Sequence, residues 1–137
     1  QRCLDVLPEK KILQVGIRSG TKEEFKFMSQ KNQLVKFLPG GNAQEFKKAL
    51  LPYSNSPIYL TIDLDWFDPS LLPGTGTPEP GGFFWNDFEV ILETLKEFRI
   101  VASDIVELSP EIDNSGVSSI VAAKVLRSLI MSVQNMQ

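Results

Sequence analysis

A doubly wound α/β sheet is the fold class this sequence predicts, and three observations carry the prediction. Short apolar runs alternate with segments that open on helix-capping residues. The runs read as apolar on both faces, as strands buried in a parallel sheet are. Strands separated by single helices must be parallel neighbours or near neighbours, joined by right-handed crossovers.

The elements follow in order. Residues 11–17 (KILQVGI) form a short apolar run closed by Gly and Ser, a buried strand. Thr21 then opens a helix, with Glu24 three residues on as its capping-box partner. Residues 34–38 are a second strand, ended by Pro39-Gly40-Gly41. Asn42 with Glu45 repeats the capping signal, and that helix runs to about Leu51. Residues 57–63 (PIYLTID) are rich in β formers and read as the third strand. A long Pro/Gly stretch follows to Gly82, and Asn86 with Glu89 opens a helix ending near Phe98. Residues 100–107 (IVASDIVE) are the fourth strand, and 117–133 the longest helix. Four strands make a small sheet for this class, so an edge is expected to need covering by other chain.

Composition narrows the function classes. The 137 residues are 42% hydrophobic, enough for one core, and no repeat or linker divides them. A net charge of -3 with no basic block argues against nucleic-acid or membrane-surface partners. No apolar run is long enough to span a bilayer. A single cysteine, Cys3, allows no internal disulfide and suggests a reduced, cytoplasmic setting. The first residues lack both a signal-peptide pattern and an initiator Met. There is no histidine, so any imidazole base or ligand must come from elsewhere.

Chemistry concentrates after the third strand. Asp63, Asp65 and Asp68 lie in TIDLDWFDPS. Carboxylates at i and i+2 point to one side of an extended chain, at the strand end where open α/β sheets bind ligands. Two such charges repel unless a cation sits between them or one takes a proton, and hard oxygen ligands suit Mg²⁺, Mn²⁺ or Ca²⁺. The bland alternative is a solvated turn, since Asp is common there. Residues 73–82 (PGTGTPEPGG) form an unusually long loop, stiffened by Pro and opened by Gly. Neither the dinucleotide fingerprint nor the P-loop is met. The fourth strand adds Asp104, which needs a partner if buried, and Glu107 at its carboxyl end, on the same rim as Asp63 and Asp65.

Taken together, TIDLDWFDPSLLPGTGTPEPGG, SDIVELSP and the helix VSSIVAAKVLRSL resemble the C-terminal half of the ureohydrolase family, which includes arginase, agmatinase, guanidinobutyrase and formiminoglutamase. GIRSG at 16–20 resembles its agmatinase-type members, and EPGG leans the same way. The resemblance implies a three-layer α/β/α arginase-like fold, with residues 1–137 the C-terminal part of a single domain. It implies Mn²⁺-dependent hydrolysis of a guanidino compound, agmatine by preference, to urea and an amine, with two Mn²⁺ in each complete active site. On the matching positions, Asp63 and Asp65 are metal ligands, Glu107 pairs with the substrate guanidinium, Thr77 lies near the substrate, and Asp68 is structural, bonding within its own loop. It also implies a homo-oligomer.

One departure matters as much as the match. The family's remaining ligands, a histidine and a D-x-H-x-D cluster, belong to the N-terminal half and are absent here. No catalytic residue is therefore assigned within this chain, which is expected to need a missing N-terminal half and to be inactive alone. A different class of reading is a non-catalytic remnant that binds a partner. A receiver-like signalling domain is weaker still, because no lysine stands at a suitable strand end.

Overall fold

The computed structural model describes residues 2–7, 11–35, 37–41 and 43–134. Its elements run α1 (Arg2–Val6), β1 (Gln14–Val15), α2 (Lys22–Gln30), β2 (Leu34–Val35), α3 (Gln44–Leu50), β3 (Ile58–Asp63), α4 (Trp85–Leu95), β4 (Ile100–Val106) and α5 (Val117–Gln134), with 3-10 turns at Leu51–Tyr53, Leu64–Trp66 and Pro110–Ile112. The predicted alternation is present, and helix α1 is an addition to it.

The strands pair as β1 with β2 and β3 with β4, both parallel. Among the described residues these are two separate pairs, not the single ladder expected. β1 is two residues long because Gly16 follows in the left-handed region at φ 77°. No other residue fits there: a Cβ on Gly16 would lie 2.3 Å from the Trp66 indole nitrogen. Apolar packing joins the pairs instead. Val35, Phe46, Leu50, Leu95 and Phe98 are buried together, with Leu13, Val15, Ile58 and Ile100 against them.

A second core lies under the other end of β3. Leu64, Phe67, Leu72, Phe88, Val125 and Leu129 form it, and Leu64 and Val125 are completely buried. Truncating a side chain such as Leu64 would cost roughly 2–5 kcal/mol. Phe67 is core, while Trp66 is half-buried and stacks on Phe83 with ring centroids 4.1 Å apart.

Helix starts follow local chemistry, with two revisions. The Thr21–Glu24 capping box forms in both directions, at 2.7 and 3.2 Å. Asn42 lies outside the described residues; Ala43 occupies the N-cap of α3, with no side-chain cap bond. Helix α4 starts at Trp85, and its reach-back acid is Asp87, not the expected Asn86–Glu89 pair. Asp87 accepts from the Phe84 amide at 2.8 Å and the Gly40 amide at 2.6 Å, so it also ties α4 to the turn after β2.

β3 and β4 are not buried on both faces. Tyr59, Thr61 and Asp63 pair in register with Ala102, Asp104 and Val106 on one face, and that face is open. Tyr59 is 61% exposed and Val106 39%. The uncovered part is thus a face of the sheet as well as its edges. Asp104 is held on this face: the Thr61 and Tyr59 hydroxyls keep its carboxyl below the usual range, the Tyr59 hydroxyl donating to Oδ2 at 2.5 Å, while its Oδ1 is buried without a hydrogen-bond partner among the described residues. No helix among the described residues is long and apolar enough to cross a membrane.

Candidate functional site

β3 ends at Asp63, and the 3-10 turn Leu64–Trp66 immediately reverses the chain. Asp63 caps that turn: its Oδ1 accepts from the Asp65 amide at 2.9 Å. The two carboxylates are thereby held together on the rim. Partial burial raises the Asp63 pKa; the Asp65 amide bond opposes this, the negative Asp65 beside it raises it further, and the Arg18 cation lowers it.

Asp65 is fixed more tightly. Its Oδ2 accepts from the Thr77 hydroxyl at 2.7 Å, so the Gly-Thr-Pro turn is latched to the acidic pair. Its Oδ1 is buried and has no hydrogen-bond partner among the described residues. An unpartnered buried acceptor costs about 1–3 kcal/mol, more when charged. A cation would remove that cost, so this donor set fits a hard divalent metal. Among the described residues no three His, Cys, Asp or Glu side chains form a metal-holding group. Two carboxylates make part of a coordination sphere.

Glu107 follows β4 directly, one residue past the in-register partner of Asp63. Its backbone is left-handed at φ 68°, unusual for a residue with a Cβ. That turn brings its carboxylate to the Gly-Thr-Pro loop: a Cβ on Gly76 would lie 3.9 Å from Glu107 Oε2. All four predicted site residues, Asp63, Asp65, Thr77 and Glu107, therefore gather at the carboxyl ends of β3 and β4.

The loop between them is built to hold still. Its ends close on each other through a bridge between Phe67 and Phe83. Asp68 staples the interior: Oδ1 accepts from the Ser70 amide (3.0 Å) and hydroxyl (2.6 Å), and Oδ2 from the Gly81 (2.9 Å) and Gly82 (3.1 Å) amides. Those bonds, the Ser70 pair foremost, lower its pKa to about 2. This is the within-loop role expected of it.

Two supports went unforeseen. Asp113 accepts from Ser115 (amide 2.9 Å, hydroxyl 2.5 Å) and from the Ser118 amide at 2.8 Å, while the Ser118 hydroxyl accepts from the Gly74 amide at 2.8 Å. The glycine loop is thus docked on the start of α5. Arg18, in the loop after β1, donates to the main-chain oxygens of Asp65 (2.7 Å), Trp66 (3.0 Å) and Glu79 (2.9 Å). The sequence signals for it were a basic residue among glycines after a predicted strand and its place in the GIRSG string, which assigned it no role.

Known proteins share this fold. The arginase family model matches residues 1–132. An agmatinase from Bacillus cereus is 31% identical over 134 residues, covering 96% of this chain and 45% of the relative. An agmatinase from Pyrococcus horikoshii is 40% identical over 118 residues, covering 85% of this chain and 41% of the relative. The crystal structure of a Clostridium difficile protein superposes with a TM-score of 0.85 at 44% identity, covering 98% of this chain and 49% of the other. The chain spans less than half the length of these relatives, and with the fold shared at that level and the family model covering nearly all of it, the chain belongs to the arginase family.

Proposed function

We propose that this chain is the C-terminal part of a ureohydrolase domain and supplies half of a Mn²⁺ site, Asp63 and Asp65, together with the guanidinium-binding carboxylate Glu107. Agmatine is the preferred substrate, a reading supported by the relatives named agmatinase. The observation that carries the proposal is the rim itself: a rigidly framed Asp65 with one buried, unpartnered oxygen, beside Asp63 and within the same loop system as Glu107.

The residues divide the work. Asp63 and Asp65 would hold the ions, and the Thr77 hydroxyl orients Asp65. Bound Mn²⁺ would supply an activated water at neutral pH. Glu107 would hold the planar guanidinium by charge-assisted hydrogen bonds and fix the carbon for attack. The remaining ligands come from the missing N-terminal half, and the open face of β3 and β4 is where that half packs. The isolated chain should release no urea from agmatine or arginine with Mn²⁺ present.

Glu107→Gln tests the assignment in the complete protein. The variant should retain its Mn²⁺ and fold yet lose orders of magnitude in kcat/KM for agmatine. Near-normal turnover would show that Glu107 is not the guanidinium partner.

The uncovered sheet face also favours a second reading, a non-catalytic module that binds a family partner. Urea release after the missing half is restored would exclude it.

A further inference from the structure

The geometry points to Arg18 as the positioning residue for Asp65, an inference that rests on the metal-site reading above. Arg18 reaches the rim because Gly16 lets the chain pass against the stacked Trp66 and Phe83 rings. Its guanidinium then donates to three main-chain carbonyls on two segments: Asp65 and Trp66 in the turn after β3, and Glu79 in the glycine loop. These are the segments that carry Asp65 and Thr77, the pair joined by the 2.7 Å hydroxyl–carboxylate bond.

The consequence is a closed frame. Arg18 fixes the backbone of Asp65, Asp63 fixes its amide, and Thr77 fixes one carboxylate oxygen, leaving only Oδ1 unpartnered. Without Arg18, the turn and the loop could separate, and Thr77 would no longer hold the carboxylate in one orientation. The planar fork is what the task requires. A lysine keeps the charge but is a single point donor on a flexible stem, and cannot hold carbonyls on both segments in fixed geometry. Supporting partners of metal ligands typically contribute about 10–100-fold in metal affinity or activity.

The test compares Arg18→Lys and Arg18→Met with Leu129→Ala in the complete protein. Leu129 is buried in α5, in the core beneath β3, and its truncation destabilises without touching the clamp. The readouts are Mn²⁺ titration by calorimetry, amide hydrogen exchange of the metal-free protein, and kinetics on agmatine. Both Arg18 variants should bind Mn²⁺ roughly 10–100-fold more weakly. They should also exchange faster at Asp65 and residues 79–82, and lose kcat. Leu129→Ala should lower the unfolding temperature with Mn²⁺ affinity intact. Wild-type affinity in Arg18→Lys would overturn the inference, because charge alone would then suffice. If the wild-type protein binds no Mn²⁺, the metal-site reading fails by itself; unchanged exchange at Asp65 and residues 79–82 in Arg18→Lys overturns the clamp in either case.

Discussion

Asp65 and Asp68 are three residues apart and have opposite surroundings. Asp68 accepts four hydrogen bonds, two on each oxygen, all from its own loop. Asp65 accepts one on its side chain and keeps a buried oxygen without a partner. Asp113 resembles Asp68, closed off by Ser115 and Ser118. Asp63 resembles Asp65, with its pKa raised by partial burial while Asp68 and Asp113 are lowered by hydrogen bonds. The same side chain thus does two jobs within one loop system. Satisfied carboxylates hold the frame, and under-satisfied ones within that frame are the ligand candidates. A count of acidic residues does not separate the two groups, and neither does acceptor inventory alone, since Asp104 also keeps a buried oxygen without a partner among the described residues; inventory and place on the rim together do.

The sharpest break of this comparison is Asp63→Ala in the complete protein. It should lose bound Mn²⁺ and activity together, by more than the roughly 10–100-fold that a supporting partner contributes. Metal analysis showing both ions retained would remove Asp63 from the ligand group and collapse the distinction.

The rim stores backbone strain as well as unmet charge, and Glu107 shows it. A non-glycine residue in the left-handed region costs roughly 1–2 kcal/mol. Glu107→Gly should therefore be more stable than Glu107→Ala by about 1 kcal/mol, while both lose activity alike. Denaturant unfolding of the two variants measures this, and equal midpoints would mean that the backbone there is not strained.

The loop side makes the smallest and most local prediction. The Asp68 pKa is depressed from the ordinary 3.8 to about 2, so its bonds stabilise the folded state fully above about pH 4. That contribution fades as pH falls toward 2. Thermal unfolding followed from pH 5 to pH 2 should decline less steeply in Asp68→Asn than in wild type. Parallel slopes would mean that the staple does not titrate in this window.

Much of this was legible in the sequence for reasons that are local. The third and fourth strands, the Thr21–Glu24 box and the rim position of Asp63, Asp65 and Glu107 all depend on spacing within a few residues. The role of Asp68 followed from the family resemblance, and its bonds stay inside one loop. The supports were not legible, because their partners are distant or anonymous. Arg18 binds three carbonyls 47, 48 and 61 residues away, and a carbonyl leaves no mark in the sequence. Ser118 meets Gly74 across 44 residues. The uncovered face was also missed. Ile58, Leu60 and Ile62 pack inward while Tyr59 and Thr61 look equally at home in a buried strand, and only the fold shows them facing outward. β1 is shorter than the apolar run at 11–17 suggests, because apolar length is visible in the sequence and the left-handed turn at Gly16 is not.

The most direct test of the central claim is the shift in unfolding temperature that Mn²⁺ produces in the complete protein, measured for wild type, Asp65→Asn and Asp68→Asn. A ligand at about 100 times its Kd stabilises the folded state by roughly 2.7 kcal/mol, enough to see as an upward shift. Wild type should show that shift. Asp68→Asn should start from a lower temperature, since it loses acceptors for the loop amides, and still shift upward. Asp65→Asn should start near wild type, because the amide keeps an acceptor for the Thr77 hydroxyl, and should not shift at all. A full Mn²⁺ shift in Asp65→Asn, from a baseline lowered as far as that of Asp68→Asn, would contradict the account: both carboxylates would then be structural.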